Sequence, residues 1–373
     1  MSHPEGGKRV AWAELFFDLV FVFAITELVA LLHHDHSWAG VGRAVVVFLP
    51  VYWVWVGTTM QTNRRDLDRP AERIAVFFVA LCGLVMAFAL PYAYDDRGLL
   101  FALAYWAARL GFGLWAFRGE LFHVQPFTVS MVFTGPLLVV GALFDDPVRE
   151  ILWLAGAVID LAMPSVLRRR LAAMTFDAGH LTERFGLFVL IAIGESIVAI
   201  GVPVANSGAA VGFGTLAAVG GAFLLCCGLF WVYFHFANDA MRHALTIAPT
   251  QLTITRHVLS YGHVAFIAAV VAIAVGMEET VAAPGRHLSW AYAGFLFGGT
   301  ALFLATFGYT RWMMFHTWAT TRLTTAAAVL VLLPVAHALP SLAAIFLLAL
   351  VVVALNVAEY IRVEHGKRLE AAA

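Results

Sequence analysis

The amino-acid sequence predicts an all-α integral membrane protein with about twelve transmembrane helices, arranged as two six-helix repeats of the same orientation. Composition is the first reason, because 62% of the 373 residues are hydrophobic, 13% are charged and the mean hydropathy is +0.85. Soluble domains are about half apolar and about a quarter charged, so the solvent of this chain must be the bilayer. The other two observations are recurrent apolar runs long enough to cross a bilayer and an uneven distribution of lysine and arginine.

Each predicted span is an apolar run of about 20 residues bounded by polar, charged or turn-forming residues. The first run carries Glu14, Asp18 and Glu27 and lacks a small-residue cleavage site, so we do not expect a cleaved signal peptide. Only residues 339–341 separate the last two runs, and Pro340 can end or kink a helix. In chain order the predicted spans are 14–33, 39–61, 72–93, 98–117, 122–143, 148–167, 184–203, 210–236, 256–277, 288–310, 321–338 and 341–361.

The positions of lysine and arginine predict the orientation, because short cytoplasmic loops are enriched in both. With twelve spans, the side opposite the N-terminus holds only four of the 23 Lys and Arg residues, namely Arg43, Arg97, Arg149 and Arg286. A missed span would exchange the two sides for every later loop, and lysine and arginine would then occur on both sides. Both termini are therefore predicted to be cytoplasmic.

The first and seventh spans share a sequence pattern that predicts an internal duplication. Residues 14–27 align with residues 183–195 with one gap, at Asp18, and the alignment pairs a glutamate at each end. Because six spans per half is an even number, the two halves must have the same orientation in the membrane. We predict a first repeat at residues 1–177, a second repeat at residues 178–365 and a tail at residues 366–373. The tail ends in a sequence typical of an expression vector.

Four blocks of sequence carry a family resemblance, and they lie at residues 14–23, 53–68, 183–196 and 261–263. Together they resemble the bacterial low-temperature-requirement A (LtrA) family. The resemblance implies a multi-pass protein of the bacterial cytoplasmic membrane without a defined substrate. The family often has an acidic residue after the Tyr-Phe pair of the eighth span, whereas His235 stands there in this sequence.

The first span also resembles the first helix of potassium channels that carry a Phe-Ser-Asp motif, through Phe16-Phe17-Asp18. The resemblance implies a cation pore, in which Ile25 and Ile193 would form a hydrophobic constriction. The second half lacks the matching Asp and Ser, which argues against this alternative.

Ionisable residues inside the predicted spans are candidate binding sites, because a charge at mid-bilayer costs at least about 2.5–3.5 kcal/mol. Glu195 lies between two apolar stretches near the middle of the seventh span, and Arg109 and His263 are the basic partners within the spans. The alternative role is a buried carboxyl that only joins helices. The predicted sites for a proton, ion or solute are Glu27, Glu195, Asp160, His263 and Ser196.

A charge network is predicted at the cytoplasmic ends of the helices. Glu14 and Asp18 are four residues apart and share one face of a helix, so they need basic neighbours such as Arg64, Arg65, Arg73 or Arg184. Such a network either fixes the helix ends or acts as a gate that opens when it breaks. Its predicted members are Glu14, Asp18, Asp66, Arg73, Glu183 and Arg184.

Several site classes are not expected. The net charge of −1 gives no basic excess for binding nucleic acid. Residues 33–36 contain three histidines and an aspartate, which suit zinc or copper. Adjacent residues rarely chelate one ion well, so neither a metal nor a cofactor is predicted. The sequence has no Walker loop, no His-Glu-x-x-His and no Gly-x-Ser-x-Gly.

The favoured function is a secondary transporter, coupled to protons, that moves a small solute or ion along a path between the two halves. A cation channel is the first alternative. A membrane-embedded enzyme that acts on a lipid or isoprenoid with paired carboxylates is the second. The chain has no Asp-Asp-x-x-Asp cluster for a diphosphate, so a non-enzymatic role is favoured. The lipid bilayer is the expected partner, and a homodimer is left open.

Overall fold

The computed structural model describes residues 8–116, 126–206 and 211–372, and these residues form helices without a β-strand. We number twelve helical segments in chain order. They are α1 (Trp12–His34), α2 (Trp38–Asn63), α3 (Pro70–Tyr92), α4 (Gly98–Ala116), α5 (Pro126–Gly141), α6 (Val148–Val166), α7 (Ala178–Asn206), α8 (Phe213–Ile247), α9 (Gln251–Ala282), α10 (Trp290–Phe315), α11 (Thr320–Ala338) and α12 (Ser341–Ala372).

Nine helices in the described part of the chain are long and apolar enough to cross a membrane, namely α1 to α3 and α7 to α12. The apolar parts of α4 and α5 are shorter, at Gly98–Gly111 and Pro126–Gly141, and α6 carries Arg149, Glu150 and Asp160. The all-helical membrane class is thus confirmed. Twelve crossings and a six-plus-six duplication stay predictions, and residues 117, 122–125 and 210 of the predicted spans lie outside the described residues.

Local signals in the sequence set several helix ends. The Ser37 hydroxyl accepts a hydrogen bond from the Gly40 N–H at 3.1 Å and caps the start of α2. Pro70 occupies the first position of α3, where a missing N–H costs nothing. Leu339 is extended, so that α11 and α12 are two separate helices, as the sequence predicts.

Within the described residues, four helices contain a turn of π-helix, at Ser130–Thr134, Tyr233–Ala237, Thr255–Tyr261 and Gly294–Gly298. The extra residue of a π-turn rotates the side chains that follow it, and such turns are frequent at functional sites. Here the turn in α5 carries Ser130 and Thr134, and the turn in α9 carries Thr255 and Arg256. Both turns recur in the sites described below.

The chain divides into two compact units, and we describe each by itself. Unit 1 comprises Met1–Ile191 and Leu245–Ser260, and unit 2 comprises Ala192–Ala244 and Tyr261–Ala373. In unit 1, α3 packs on α1 and α4, and α6 packs on α2 and α5. In unit 2, α12 packs on α8 and α11, and α10 packs on α9 and α11.

Large apolar side chains on the surface are consistent with a lipid solvent. Ile74 is 67% exposed, Ile151 61% and Val331 76%, and many more exposed apolar side chains lie on the helices. A soluble monomer rarely exposes apolar surface on this scale, because water disfavours it. The outer surfaces of these helices therefore fit the hydrocarbon region of a membrane.

Candidate functional site

Four ionisable side chains of unit 1 form a fully buried group, which we call the buried network. Glu14 and Asp18 come from α1, His180 and Arg184 come from α7, and each is 0% exposed. Each pair is spaced by four residues, so both members lie on one face of their helix. The two faces meet, and this contact places two acids against two basic side chains.

Arg184 and Asp18 form the strongest contact of the buried network. The guanidinium donates from Nη1 to Asp18 Oδ2 at 2.9 Å and from Nη2 to Oδ1 at 2.8 Å. Such a bidentate, charge-assisted pair is both strong and geometrically specific. Trp55 Nε1 donates to the same carboxylate at 2.8 Å, and Thr59 Oγ1 lies 3.4 Å from Arg184 Nη2. These contacts connect α1, α2 and α7.

Glu14 binds to His180 through one carboxylate oxygen. Its Oε2 lies 2.9 Å from His180 Nε2 and accepts the Ala11 N–H at 3.0 Å. The other oxygen, Oε1, and the Nε of Arg184 have no hydrogen-bond partner among the described residues, although they lie 3.9 Å apart. Glu14 is therefore only half satisfied.

Asn63 determines which nitrogen of His180 carries hydrogen. Its Oδ1 accepts the Asp177 N–H at 3.0 Å, and its Nδ2 donates to the Asp177 carbonyl at 3.0 Å. These two bonds fix the amide, so Nδ2 is also the donor to His180 Nδ1, at 3.0 Å. Nδ1 must then be an acceptor, and Nε2 carries the hydrogen that is donated to Glu14. This geometry assigns a neutral imidazole.

Lys8 and Asp177 close the buried network toward the predicted cytoplasmic side. The Lys8 ammonium donates to the carbonyls of Thr62, Asn63 and Arg65 at the end of α2. Burial lowers the pKa of Lys8 and outweighs the nearby acids that raise it. Burial would raise the pKa of Asp177, but the N–H groups of His180 and Lys8 hold it below its usual value.

Asp160 of α6 lies in a second polar cluster of unit 1. Ser130 Oγ and Thr134 Oγ1, both on the π-turn of α5, donate to its Oδ1 at 2.7 and 2.9 Å. The Tyr105 hydroxyl donates to Oδ2. Arg109 Nη2 lies 3.9 Å from the same oxygen, and both Asp160 and Arg109 are buried. Three hydroxyl donors therefore satisfy this carboxylate without a hydrogen bond from the arginine.

Arg109 also lines a cavity of about 100 Å³, which we call the Arg109 cavity. Its walls come from α2, α4, α5, the end of α6, residues 171–176 and the beginning of α9, all within unit 1. Gly57 makes room for the guanidinium, because a Cβ there would lie 2.7 Å from Arg109 Nη1 and 2.8 Å from Phe127 Cζ. The lining also includes Trp53, Arg64, Pro126, Phe127, Pro164, Thr255 and Arg256.

Unit 2 holds the other predicted membrane sites. Glu195 is 3% exposed and Ser196 is 2% exposed, so the glutamate does not face the surface. His263 is fully buried, and its Nε2 lies 2.7 Å from the Tyr233 hydroxyl. Glu195 and His263 both make further interactions. Asp160 belongs to unit 1, so the predicted set is divided between the two units.

Glu27 and three of the residues predicted for the charge network also lie outside the buried network. Glu27 is partly buried on α1, and Glu183 is exposed on α7. Asp66 pairs with Arg69 on the surface at 3.7 Å, and Arg73 donates to Asp68 at 3.1 Å. Of the six residues predicted for the charge network, the structure thus brings together Glu14, Asp18 and Arg184.

Sequence reasoning missed His180 and Asn63, although a signal for the first was present. The predicted seventh span begins at residue 184, where the apolar run starts, whereas α7 begins at Ala178. Asp177 is a typical N-cap residue, and its Oδ1 accepts the His180 N–H three positions later at 2.9 Å. Reading that cap would have placed His180 one turn before Arg184.

The residues that the structure describes include no group of three or more His, Cys, Asp and Glu side chains placed to hold a metal ion. The loop with His33, His34 and His36 is among them. At this loop, hydrogen bonding from the Ser37 side chain and from the Ser37 N–H, the latter at 3.1 Å, lowers the pKa of Asp35.

Comparisons with known proteins cover most of the chain. The family model described as bacterial low temperature requirement A protein (LtrA) matches residues 9–357. An uncharacterized protein of Rhizobium meliloti (strain 1021) is 31% identical over 325 residues, which are 82% of this chain and 77% of that relative. No solved structure matches the chain significantly.

Proposed function

The chain belongs to the bacterial low temperature requirement A family of multi-pass membrane proteins, and from this premise we propose that it is a proton-coupled secondary transporter. The proposed proton site is the pair formed by Glu14 and His180. The transported species is a small solute or ion. The location is the bacterial cytoplasmic membrane, with the buried network near its cytoplasmic face.

One observation carries the proposal, and it is the charge balance of the buried network. Glu14, Asp18 and Asp177 contribute three negative charges, Arg184 and Lys8 contribute two positive charges, and the hydrogen-bond geometry assigns a neutral His180. A net charge inside protein is unfavourable, so a proton that binds there removes an imbalance. Histidine is the side chain whose charge changes most readily near neutral pH.

Proton binding at His180 would change contacts between three helices. A hydrogen on Nδ1 would face the amide hydrogens of Asn63, and two donors cannot bond with each other. Asn63 would then have to leave His180, and with it the backbone of Asp177 at the start of α7. A contact that depends on proton occupancy is what a proton-coupled gate requires.

The test measures proton and solute movement in the same proteoliposomes. A pH-sensitive dye inside the vesicles reports proton flux while a panel of small organic and inorganic solutes is added outside. We expect at least one solute to change the internal pH, with a rate that saturates as its concentration rises. Currents that do not saturate and need no second solute would instead support the channel alternative.

The variant His180→Gln tests proton coupling without removing the hydrogen bond to Glu14. A glutamine amide can still donate to Glu14 but cannot gain a proton, so we expect solute flux to lose its response to a pH gradient. His34→Gln, at an exposed histidine on the predicted outer loop, is the matched control and should keep the response. Equal proton coupling in wild type and His180→Gln would refute the proposed proton site.

A further inference from the structure

The Arg109 cavity has the features of a binding site, and we propose that it binds an organic anion with a small apolar body. The ligand class is a short-chain carboxylate or another molecule with one acidic head and an apolar tail. This inference deepens the proposed function by naming the class of solute. The role of this anion in transport rests on the proposed function, whereas its binding rests on the contacts described below.

The charge of the cavity wall selects for an anion. Arg64, Arg109 and Arg256 line it, and no Asp or Glu does so among the described residues. Asp160 lies 3.9 Å from Arg109 Nη2 and contributes one negative charge against the three arginines. The cavity therefore keeps an excess of positive charge.

Three buried polar atoms on the cavity wall have no hydrogen-bond partner within the described ranges. They are Arg109 Nη2, Arg256 Nε and Thr255 Oγ1. Arg109 is 2% exposed and Thr255 is 3% exposed, so water around the folded protein reaches neither side chain freely. Buried polar groups are nearly always paired, because leaving one unpaired is unfavourable. All three can donate, so an acceptor such as a carboxylate would satisfy them.

The rest of the wall selects for an apolar body. Trp53, Pro126, Phe127 and Pro164 contribute rings that cannot replace the hydration shell of an inorganic anion. The lining runs along α2 from Trp53 to Arg64, which is about 16 Å at the rise of an α-helix. Arg64 is exposed and Arg109 is buried, so the cavity leads from the surface toward the inner guanidinium.

The π-turn of α9 explains why Thr255 and Arg256 reach the same cavity. Neighbouring residues on a regular helix are separated by about 100°, whereas a π-turn has more residues per turn and brings successive side chains closer in direction. Arg256 also donates from Nη2 to His257 Nε2 at 2.7 Å, which leaves its Nε for a ligand.

Calorimetric titration of the purified protein in a neutral detergent tests the proposal. The probes are hexanoate, its uncharged analogue hexan-1-ol, and inorganic phosphate. We expect saturable binding of hexanoate and much weaker binding of the other two. Arg109→Gln and Arg256→Gln should each weaken hexanoate binding by about tenfold or more, since each removes a charge-assisted hydrogen bond. Arg97→Gln, outside the cavity, is the matched control and should leave the affinity unchanged.

Two further arms keep the result decisive. Arg109→Lys retains the charge without the planar fork and should bind with intermediate affinity, which guards against misfolding of Arg109→Gln. Nanodiscs with and without phosphatidylglycerol separate the two sources of the ligand. Loss of hexanoate binding in the presence of the anionic lipid would identify a lipid head group as the occupant with the same chemistry.

The proposal is overturned if wild type does not bind hexanoate, if phosphate binds equally well, or if both glutamine variants bind as wild type does. Its failure differs from the failure of the proposed function. Hexanoate binding without uptake into proteoliposomes removes the transporter and keeps the site. Proton-coupled uptake of another solute without hexanoate binding removes this site and keeps the transporter.

Discussion

At the scale of single residues, the buried network depends on one arginine that holds two acids. Arg184 is 0% exposed, forms two hydrogen bonds with Asp18 and lies 3.9 Å from Glu14. Removing one partner of a buried ion pair leaves an uncompensated charge, which costs much more than the pair itself contributes. Arg184 therefore joins α7 to α1 through buried, charge-assisted hydrogen bonds.

We expect Arg184→Ala to destabilise the protein by about 3–5 kcal/mol, because it leaves two carboxylates buried without a guanidinium. Arg69→Ala is the matched control, since Arg69 and Asp66 pair on the surface with side chains 76% and 61% exposed. Surface pairs of this kind contribute about 0–1 kcal/mol. Thermal unfolding in detergent measures both, and similar midpoints for the two variants would contradict the role of Arg184.

The sequence predicted part of this site for a clear physical reason. Two carboxylates on one helical face need a cation, and that argument included Arg184 among the candidates. It could not choose between Arg184 and the arginines near residue 64, because the choice depends on which helices pack together. Asn63 was out of reach for the same reason, since its partners Asp177 and His180 are more than a hundred residues away.

At the scale of helices, the start of α7 is held by its cap. Asp177 precedes Ala178, and its carboxylate accepts the N–H groups of His180 and Lys8 at 2.9 and 3.0 Å. Burial raises the pKa of Asp177, and these donors lower it further than burial raises it. An acid with a lowered folded-state pKa stabilises the fold above its ordinary pKa and loses that effect as the pH falls through the lowered value.

The N-cap therefore predicts that the difference in stability between wild type and Asp177→Ala depends on pH. Asp177→Ala should lower stability by about 0.5–2 kcal/mol at pH 7, because it removes an N-cap acceptor. The difference from wild type should shrink when the pH falls below about 4, the ordinary range of an aspartate. Asp177→Asn keeps a neutral acceptor and should show less of this pH dependence. Thermal unfolding between pH 3 and pH 7 measures the stability of wild type and both variants. A difference between wild type and Asp177→Ala that grows toward acid pH would contradict the role of Asp177 as an N-cap.

The positions of the helices and most helix ends could be predicted from the sequence, whereas the π-turns could not. Runs of apolar residues of membrane length placed every predicted span on a helical segment in the described ranges. The sequence at residues 255–261 gives no comparable signal, because a π-turn reflects one extra residue accommodated by packing. The Arg109 cavity was therefore missed, although Arg109 itself was recognised as a basic residue within a span.

At the scale of the whole molecule, the apolar surface and the charged loops predict how the chain sits in the membrane. Exposed apolar side chains cover helices in both units, and the predicted cytoplasmic loops hold most of the lysine and arginine. The positive-inside rule then predicts that the loop with Asp68 lies in the cytoplasm and the loop with Asp96 outside. Both residues are exposed, so that a cysteine at either position would be accessible to a reagent.

Cysteine labelling in intact cells tests this orientation. In a Cys227→Ala background, which removes the exposed native thiol, Asp96→Cys should react with a membrane-impermeant maleimide. Asp68→Cys should react only after the cells are permeabilised. The reverse pattern would overturn the predicted cytoplasmic location of both termini, because the two loops are separated by a single predicted span.

The division into units has a practical consequence for dissecting this protein. The chain passes between unit 1 and unit 2 at residues 191, 244 and 260, and each passage lies inside a helix rather than in a linker. A fragment that stops at Ile191 would lack Leu245–Ser260, and with it Thr255 and Arg256. Genetic separation into autonomous halves should therefore abolish ligand recognition even where the first fragment inserts and accumulates normally.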